Sequence, residues 1–238
     1  VLVHGSGPQD RDSTVGPNRP FLDIARGLAS RGIAVLRYEK RTKAHPEAFA
    51  EGGTIDLETT DDAVSAVALL RGQTGIDPKR VFVLGHSQGA MMAPRIGARD
   101  PNIAGLILLA APSRPLLDIL IEQNRRMAIL NDGKTSDAES IAIQQLTDSV
   151  AAVRSGREIT AAQAPMGIAP AYWRTVDAVD PVAEARAIAQ PILILQGARD
   201  IQVVDADWQG WRDAFHDNPR VTFKLYEALN HLAIPGEG

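Results

Sequence analysis

The chain has 238 residues, 45% hydrophobic and 23% charged, an ordinary globular composition with enough length to bury one substantial core. A net charge of −4 with no Lys/Arg cluster provides no field to concentrate a phosphate backbone, so nucleic acid is not expected as a partner. Cysteine is absent, which excludes disulfides, thiolate metal sites and a cysteine nucleophile but leaves the compartment open.

The longest apolar stretches, such as residues 103–111, fall far short of a membrane span, and no charged-then-apolar leader opens the chain. A soluble chain is therefore expected. Val1-Leu2-Val3 reads as the middle of a buried strand and the first residue is not Met, so residues are expected before it. Residues 234–238 stop in loop chemistry, so a trimmed C-terminus is expected as well.

After the opening strand comes a Gly-rich turn, His4-Gly5-Ser6-Gly7-Pro8. Residues 21–31 carry Phe21, Ile24, Ala25, Leu28 and Ala29 at helical spacing, and Gly32 supplies a stop. The run 34–38 reads as a second strand, and 57–71 as a second helix with Asp61 and Asp62 near its start and Gly72 past its end. Further strands are expected at 81–84, 105–109, 192–195 and 221–226. Short apolar runs alternating with amphipathic ones are the pattern of an α/β fold, a doubly wound, mostly parallel sheet covered on both faces. From 113 to 180 the rhythm breaks into helices at 116–130, 137–153 and 171–179. The simplest organisation is a core in two parts, 1–112 and 181–238, with an inserted helical cap at 113–180.

Chemistry concentrates in three places. Gly85-His86-Ser87-Gln88-Gly89 follows strand 81–84 and precedes helix-compatible Ala90-Met91-Met92-Ala93. A Gly-x-Ser-x-Gly pentapeptide alone arises by chance in about one protein of this size in ten, whereas the strand, sharp turn and helix around it are what a nucleophilic serine needs. A serine hydroxyl is a weak nucleophile without a general base, normally histidine. Among five histidines, His231 lies beyond the last strand, where chain order places the base; His4, His45, His86 and His216 have other settings. Asp200, in the turn after strand 192–195, is the expected acid, with Asp205 and Asp207 a few residues on and Arg199 as an alternative ion-pair partner. The Ser6 and Gln88 N–H groups are the expected oxyanion-hole donors, the alternative for the first loop being a plain glycine turn. Gly5-Ser6-Gly7 lacks a third glycine and no P-loop occurs, so no cofactor is implied; no histidine pair stands at ligand spacing, so no metal is expected.

Four stretches carry a narrower likeness: residues 4–12 (HGSGPQDRD), 36–42 (LRYEKRT), the serine pentapeptide, and Asp180-Pro181-Val182 with 195–203 (LQGARDIQV). On these the chain resembles the α/β-hydrolase family and, within it, bacterial EstD-like carboxylesterases. The resemblance implies hydrolysis of short-chain carboxylic esters, small-molecule substrates, through an acyl-enzyme with Ser87, Asp200 and His231 as triad, under a helical cap. Many relatives carry Gly-x-Gly-x-Ser after Arg41, where this chain reads Thr42-Lys43-Ala44-His45-Pro46. A peptidase, thioesterase or acyltransferase with the same triad is the alternative, and a non-enzymatic binding module a third. Two further expectations are that Asp10, Arg11 and Asp12 brace the oxyanion loop or else lie solvated, and that Met127, Met166, Tyr172 and Trp173 line an acyl pocket or else pack helices. Oligomeric state is not legible.

Overall fold

A computed structural model describes residues 1–49 and 52–236. One parallel sheet contains β1 (Leu2–Val3), β2 (Phe82–His86), β3 (Gly105–Leu109), β4 (Ile192–Gly197) and β5 (Val221–Tyr226), in that spatial order. Alternate side chains of a strand point to opposite faces. Accordingly Val83, Leu106, Leu108 and Ile194 enter one apolar cluster, while Leu2, Leu84 and Leu109 enter another. Both faces are dry, which is why the central strands read as continuous apolar runs in the sequence.

Helix α1 (Pro20–Ala29), started by proline at its first position, buries Phe21 against Leu2, Leu84 and Leu109. The opposite face is covered by α3 (Asp61–Arg71), α4 (Gln88–Arg99) and α9 (Asp205–Phe215), through Val67, Ile96, Trp208, Trp211 and Phe215. Trp211 is buried whole because its indole N–H donates to the Ala111 carbonyl at 2.9 Å.

Between β3 and β4 run α5 (Leu116–Asp132), α6 (Asp137–Arg154), α7 (Pro170–Asp177) and the short α8 (Pro181–Arg186). Gly133 ends α5 at φ 78°, where a Cβ would be strained. Ser136 and Glu139 close α6 with reciprocal hydrogen bonds, a capping box. Leu117, Val150, Val153, Trp173 and Val176 form a third cluster, seated on Ile55 and on Met91 and Met92 of α4.

Two expectations are corrected. Residues 34–38 form no ladder: Leu2 N–H donates to the Leu36 carbonyl at 3.1 Å, but the two-residue β1 is too short a template to propagate pairing. The helix expected from residue 57 instead begins as a π-helical turn, Asp56–Thr60, that runs into α3. This wider turn buries Glu58, Thr59 and Thr60 in succession. A four-residue helix, α2 (Arg41–Ala44), precedes it.

Candidate active site

Ser87 sits between β2 and α4 at φ 54°, ψ −121°, a conformation that costs a residue bearing a Cβ on the order of 1–3 kcal/mol. Its neighbours show how the turn is held. A Cβ on Gly85 would collide with the Gly89 carbonyl, and one on Gly89 with the carbonyls of Val3 and His4. Strand, helix and first loop thus meet where only glycine fits. Ser87 N–H donates to the Leu109 carbonyl at 2.9 Å, and the Ser87 carbonyl accepts from Ala90 and Met91, starting α4.

Asp200 follows β4 and His231 follows β5. His231 Nδ1 lies 2.8 Å from Asp200 Oδ2, with both residues 7% exposed. The other oxygen, Oδ1, accepts from the backbone N–H groups of Gln202 and Val203 at 2.8 and 2.9 Å. That loop therefore fixes the carboxylate while leaving Oδ2 for the imidazole. The two loops approach closely because Gly197 has no Cβ to strike the Leu229 carbonyl. Asn230 Oδ1 accepts from Leu232 and Ile234 N–H and shapes the turn that carries His231.

His86 ties this pair to the serine. Its Nε2 lies 2.8 Å from the His231 carbonyl, and the two rings stand 4.8 Å apart. Burial, and then the neighbouring His231, lower the His86 pKa to about 3, so its imidazole is neutral and Nε2 carries the donated proton. On the other side, a Cβ built on Gly5 would lie 3.2 Å from Ser87 Cβ. The structure therefore brings Ser87, the Gly5-Ser6 loop, His231 and Asp200 into one locality.

The competing candidates lie elsewhere. Asp207, wholly buried, accepts from Ser113 N–H at 3.0 Å and pairs with Arg114 at 2.7 Å, joining α9 to the segment before α5. Asp205 accepts from Gln209 on the same helix. His45 pairs with Glu47 and His216 with Asp217, both exposed. His4 Nε2 donates to the Asp10 carbonyl at 3.0 Å, and burial and Lys40 lower its pKa to about 4.

The exposed Arg11 reaches the half-buried Glu39 rather than Ser6, so the first loop is braced differently from the expectation. Gln9 Nε2 donates to the Ser6 carbonyl at 3.0 Å, and Lys40 Nζ donates to the Gly5 carbonyl at 2.6 Å. Sequence reading missed Lys40 and its buried partner Glu58, whose carboxylate also receives Gln88 and Tyr172. Tyr172 and Trp173 are buried in the helical cluster, whereas Met127 and Met166 are exposed. A cleft of about 860 Å³ opens beside Asp200 and His231, and Glu122 and Arg126 of α5 are among the residues that line it. Among the described residues, no cluster of three His, Cys, Asp or Glu could hold a metal, and no helix is long and apolar enough to cross a membrane.

A parallel sheet wrapped on both faces, with a serine at a strained strand-to-helix turn, defines an α/β-hydrolase fold. The family described as Hydrolase_4, serine aminopeptidase S33, matches residues 19–237, and the chain belongs to that family. The chain is similar to Esterase EstD of Thermotoga maritima, 37% identical over 241 aligned residues that span 100% of this chain and 55% of the relative. It thus covers about half of that relative's length. Among solved structures, it resembles the proline iminopeptidase of Mycobacterium smegmatis (TM-score 0.62, 19% identity, 97% of this chain and 82% of that one). It also resembles the Pyrococcus furiosus esterase PF2001 (TM-score 0.59, 18% identity, 97% and 72%). At such identities these structures speak for the fold alone.

Proposed function

We propose that the chain is the hydrolytic unit of a carboxylesterase that cleaves short-chain esters through an acyl-enzyme on Ser87. The observation that carries this reading is the 2.8 Å contact of His231 Nδ1 with Asp200 Oδ2, in a loop tied by His86 to the serine turn. In this reading Ser87 Oγ attacks the ester carbonyl while His231 Nε2 takes its proton and returns it to the departing alkoxide. Asp200 accepts from Nδ1–H, selects the tautomer and stabilises the imidazolium. The Ser6 and Gln88 N–H groups receive the tetrahedral oxyanion. Water, deprotonated by the same histidine, then releases the acid and frees Ser87.

We further assign residues 113–180 the part of a cap inserted between core segments 1–112 and 181–238. Support comes from Glu122 and Arg126 of α5, which line the cleft at His231. The substrate class rests on the likeness to EstD, whose name is that of an esterase. The family description, serine aminopeptidase, favours a second reading with the same triad and an aminoacyl substrate. Turnover of p-nitrophenyl esters from acetate to octanoate, compared with aminoacyl p-nitroanilides, separates them. Preference for acetate and butyrate esters is the expected result, and anilide cleavage without ester preference overturns the ester assignment.

A further inference from the structure

Lys40 and Glu58 form an ion pair at 2.8 Å with side chains only 1% and 3% exposed. Such a pair is a poor stabiliser, because desolvating two charges offsets most of their attraction, and apolar replacements of the same volume are often as stable. Two of its other partners, Gly5 and Gln88, belong to the candidate active site, and the third, Tyr172, belongs to the helical cluster above it. Lys40 Nζ donates to the Gly5 carbonyl at 2.6 Å. Glu58 Oε2 accepts from Gln88 Nε2 at 2.8 Å and from the Tyr172 hydroxyl of α7 at 2.5 Å. The π-helical turn is what aims Glu58 inward at this junction. Burial lowers the Lys40 pKa, and Glu58 opposes that shift.

We propose that Lys40 and Glu58 are positioning residues that aim the two oxyanion donors, Ser6 N–H and Gln88 N–H, and couple their alignment to the seating of α7. The inference rests on the assignment of those donors above. The Gly5 carbonyl and the Ser6 N–H belong to one planar trans peptide and point in opposite directions. An ammonium clamped on the carbonyl therefore fixes where the N–H points and polarises it toward an anion. At the other donor, Glu58 holds the side chain of Gln88, the first residue of α4, whose backbone N–H has no acceptor within its own helix. Tyr172 brings α7 to the same carboxylate, so loosening α7 loosens both donors together. Neither residue touches the reacting atoms; both act through the peptides they hold.

The test uses the double variant Lys40→Met/Glu58→Gln in the full-length protein. It removes both charges but leaves an acceptor for Gln88 and Tyr172, so folding is retained. The expected result is a fall in kcat of about tenfold or more, with KM within about threefold and the unfolding midpoint kept. The rate of Ser87 labelling by a fluorophosphonate falls in parallel, since phosphonylation also develops charge on an oxygen in that hole. Gln88→Met, which cuts the link to Glu58 and a longer one to Thr59 but leaves Lys40 on Gly5, gives a smaller fall of the same kind. A folded double variant with kcat and labelling rate within about twofold of wild type overturns the proposal. Wild-type protein that labels at Ser87 but ignores esters sinks the substrate assignment instead, while the labelling rates still decide the role of Lys40 and Glu58. Wild-type protein unlabelled at Ser87 removes both.

Discussion

The geometry at Asp200 makes a sharp claim about a single atom. Its Oδ1 is committed to two backbone N–H groups, so Oδ2 alone meets His231, and only an acceptor there holds the imidazole with its proton on Nδ1. Asp200→Asn presents either an amide donor or the wrong tautomer, and kcat for ester hydrolysis should fall by about 10⁴ with the unfolding midpoint nearly unchanged. Steady-state kinetics beside thermal unfolding checks this; kcat within tenfold of wild type would mean another carboxylate serves (about 10⁴ expected). The place of Asp200 in a turn after a strand was readable in the sequence, as was that of Ser87 between flanking glycines where strand meets helix. Lys40 and Glu58 were not. In a linear sequence a buried Lys-Glu pair has the same spelling as two solvated charges, and nothing in residues 54–60 announces a π-helical turn that turns a glutamate inward.

At the scale of elements, Asp207 links α9 to the start of the helical segment after β3. Its buried carboxylate gathers Ser113 N–H and the Arg114 guanidinium, and Arg114 in turn reaches Glu122 on α5 at 2.8 Å. Removing that carboxylate leaves the Ser113 N–H without its acceptor and the half-buried Arg114 with Glu122 as its remaining partner. Asp207→Ala should cost on the order of 3 kcal/mol, while Asp205→Ala, four residues from the Gln209 side chain it receives, should change stability by less than about 0.5 kcal/mol. Urea unfolding of the two variants measures the contrast; equal effects would deny the link. The helices themselves were legible, because 116–130 and 137–153 carry their periodicity and stop signals openly. The extended run 34–38 was misjudged for the opposite reason. Its β-branched, apolar spelling is strand-like, but a ladder also depends on the length of its neighbour, and β1 offers two residues.

Across the whole molecule, two histidines are folded in as neutral groups. His4 and His86 each bury an Nδ1 without a partner, and their pKa values fall from 6.5 to about 4 and about 3. Both folded values lie below the unfolded one. The unfolded chain therefore takes up protons first, and the stability these residues contribute is complete above pH 6.5 and is lost as pH falls toward 4 and then 3. Each histidine adds a slope of up to about 1.4 kcal/mol per pH unit in that window. Denaturant midpoints between pH 7 and 5 should drop accordingly, and His86→Phe should flatten the slope; a midpoint independent of pH there would contradict the burial argument (about one proton per histidine). The same packing that keeps His86 neutral lets it donate to the His231 carbonyl, so stability and the candidate site share one buried imidazole. The proposed chemistry requires Ser87 to be an activated nucleophile. Treating the full-length protein with a fluorophosphonate and mapping the adduct by peptide mass tests this most directly. A single adduct on Ser87, absent from Ser87→Ala and strongly slowed in His231→Ala, is the predicted result; an adduct on another residue, or none on folded protein, contradicts it.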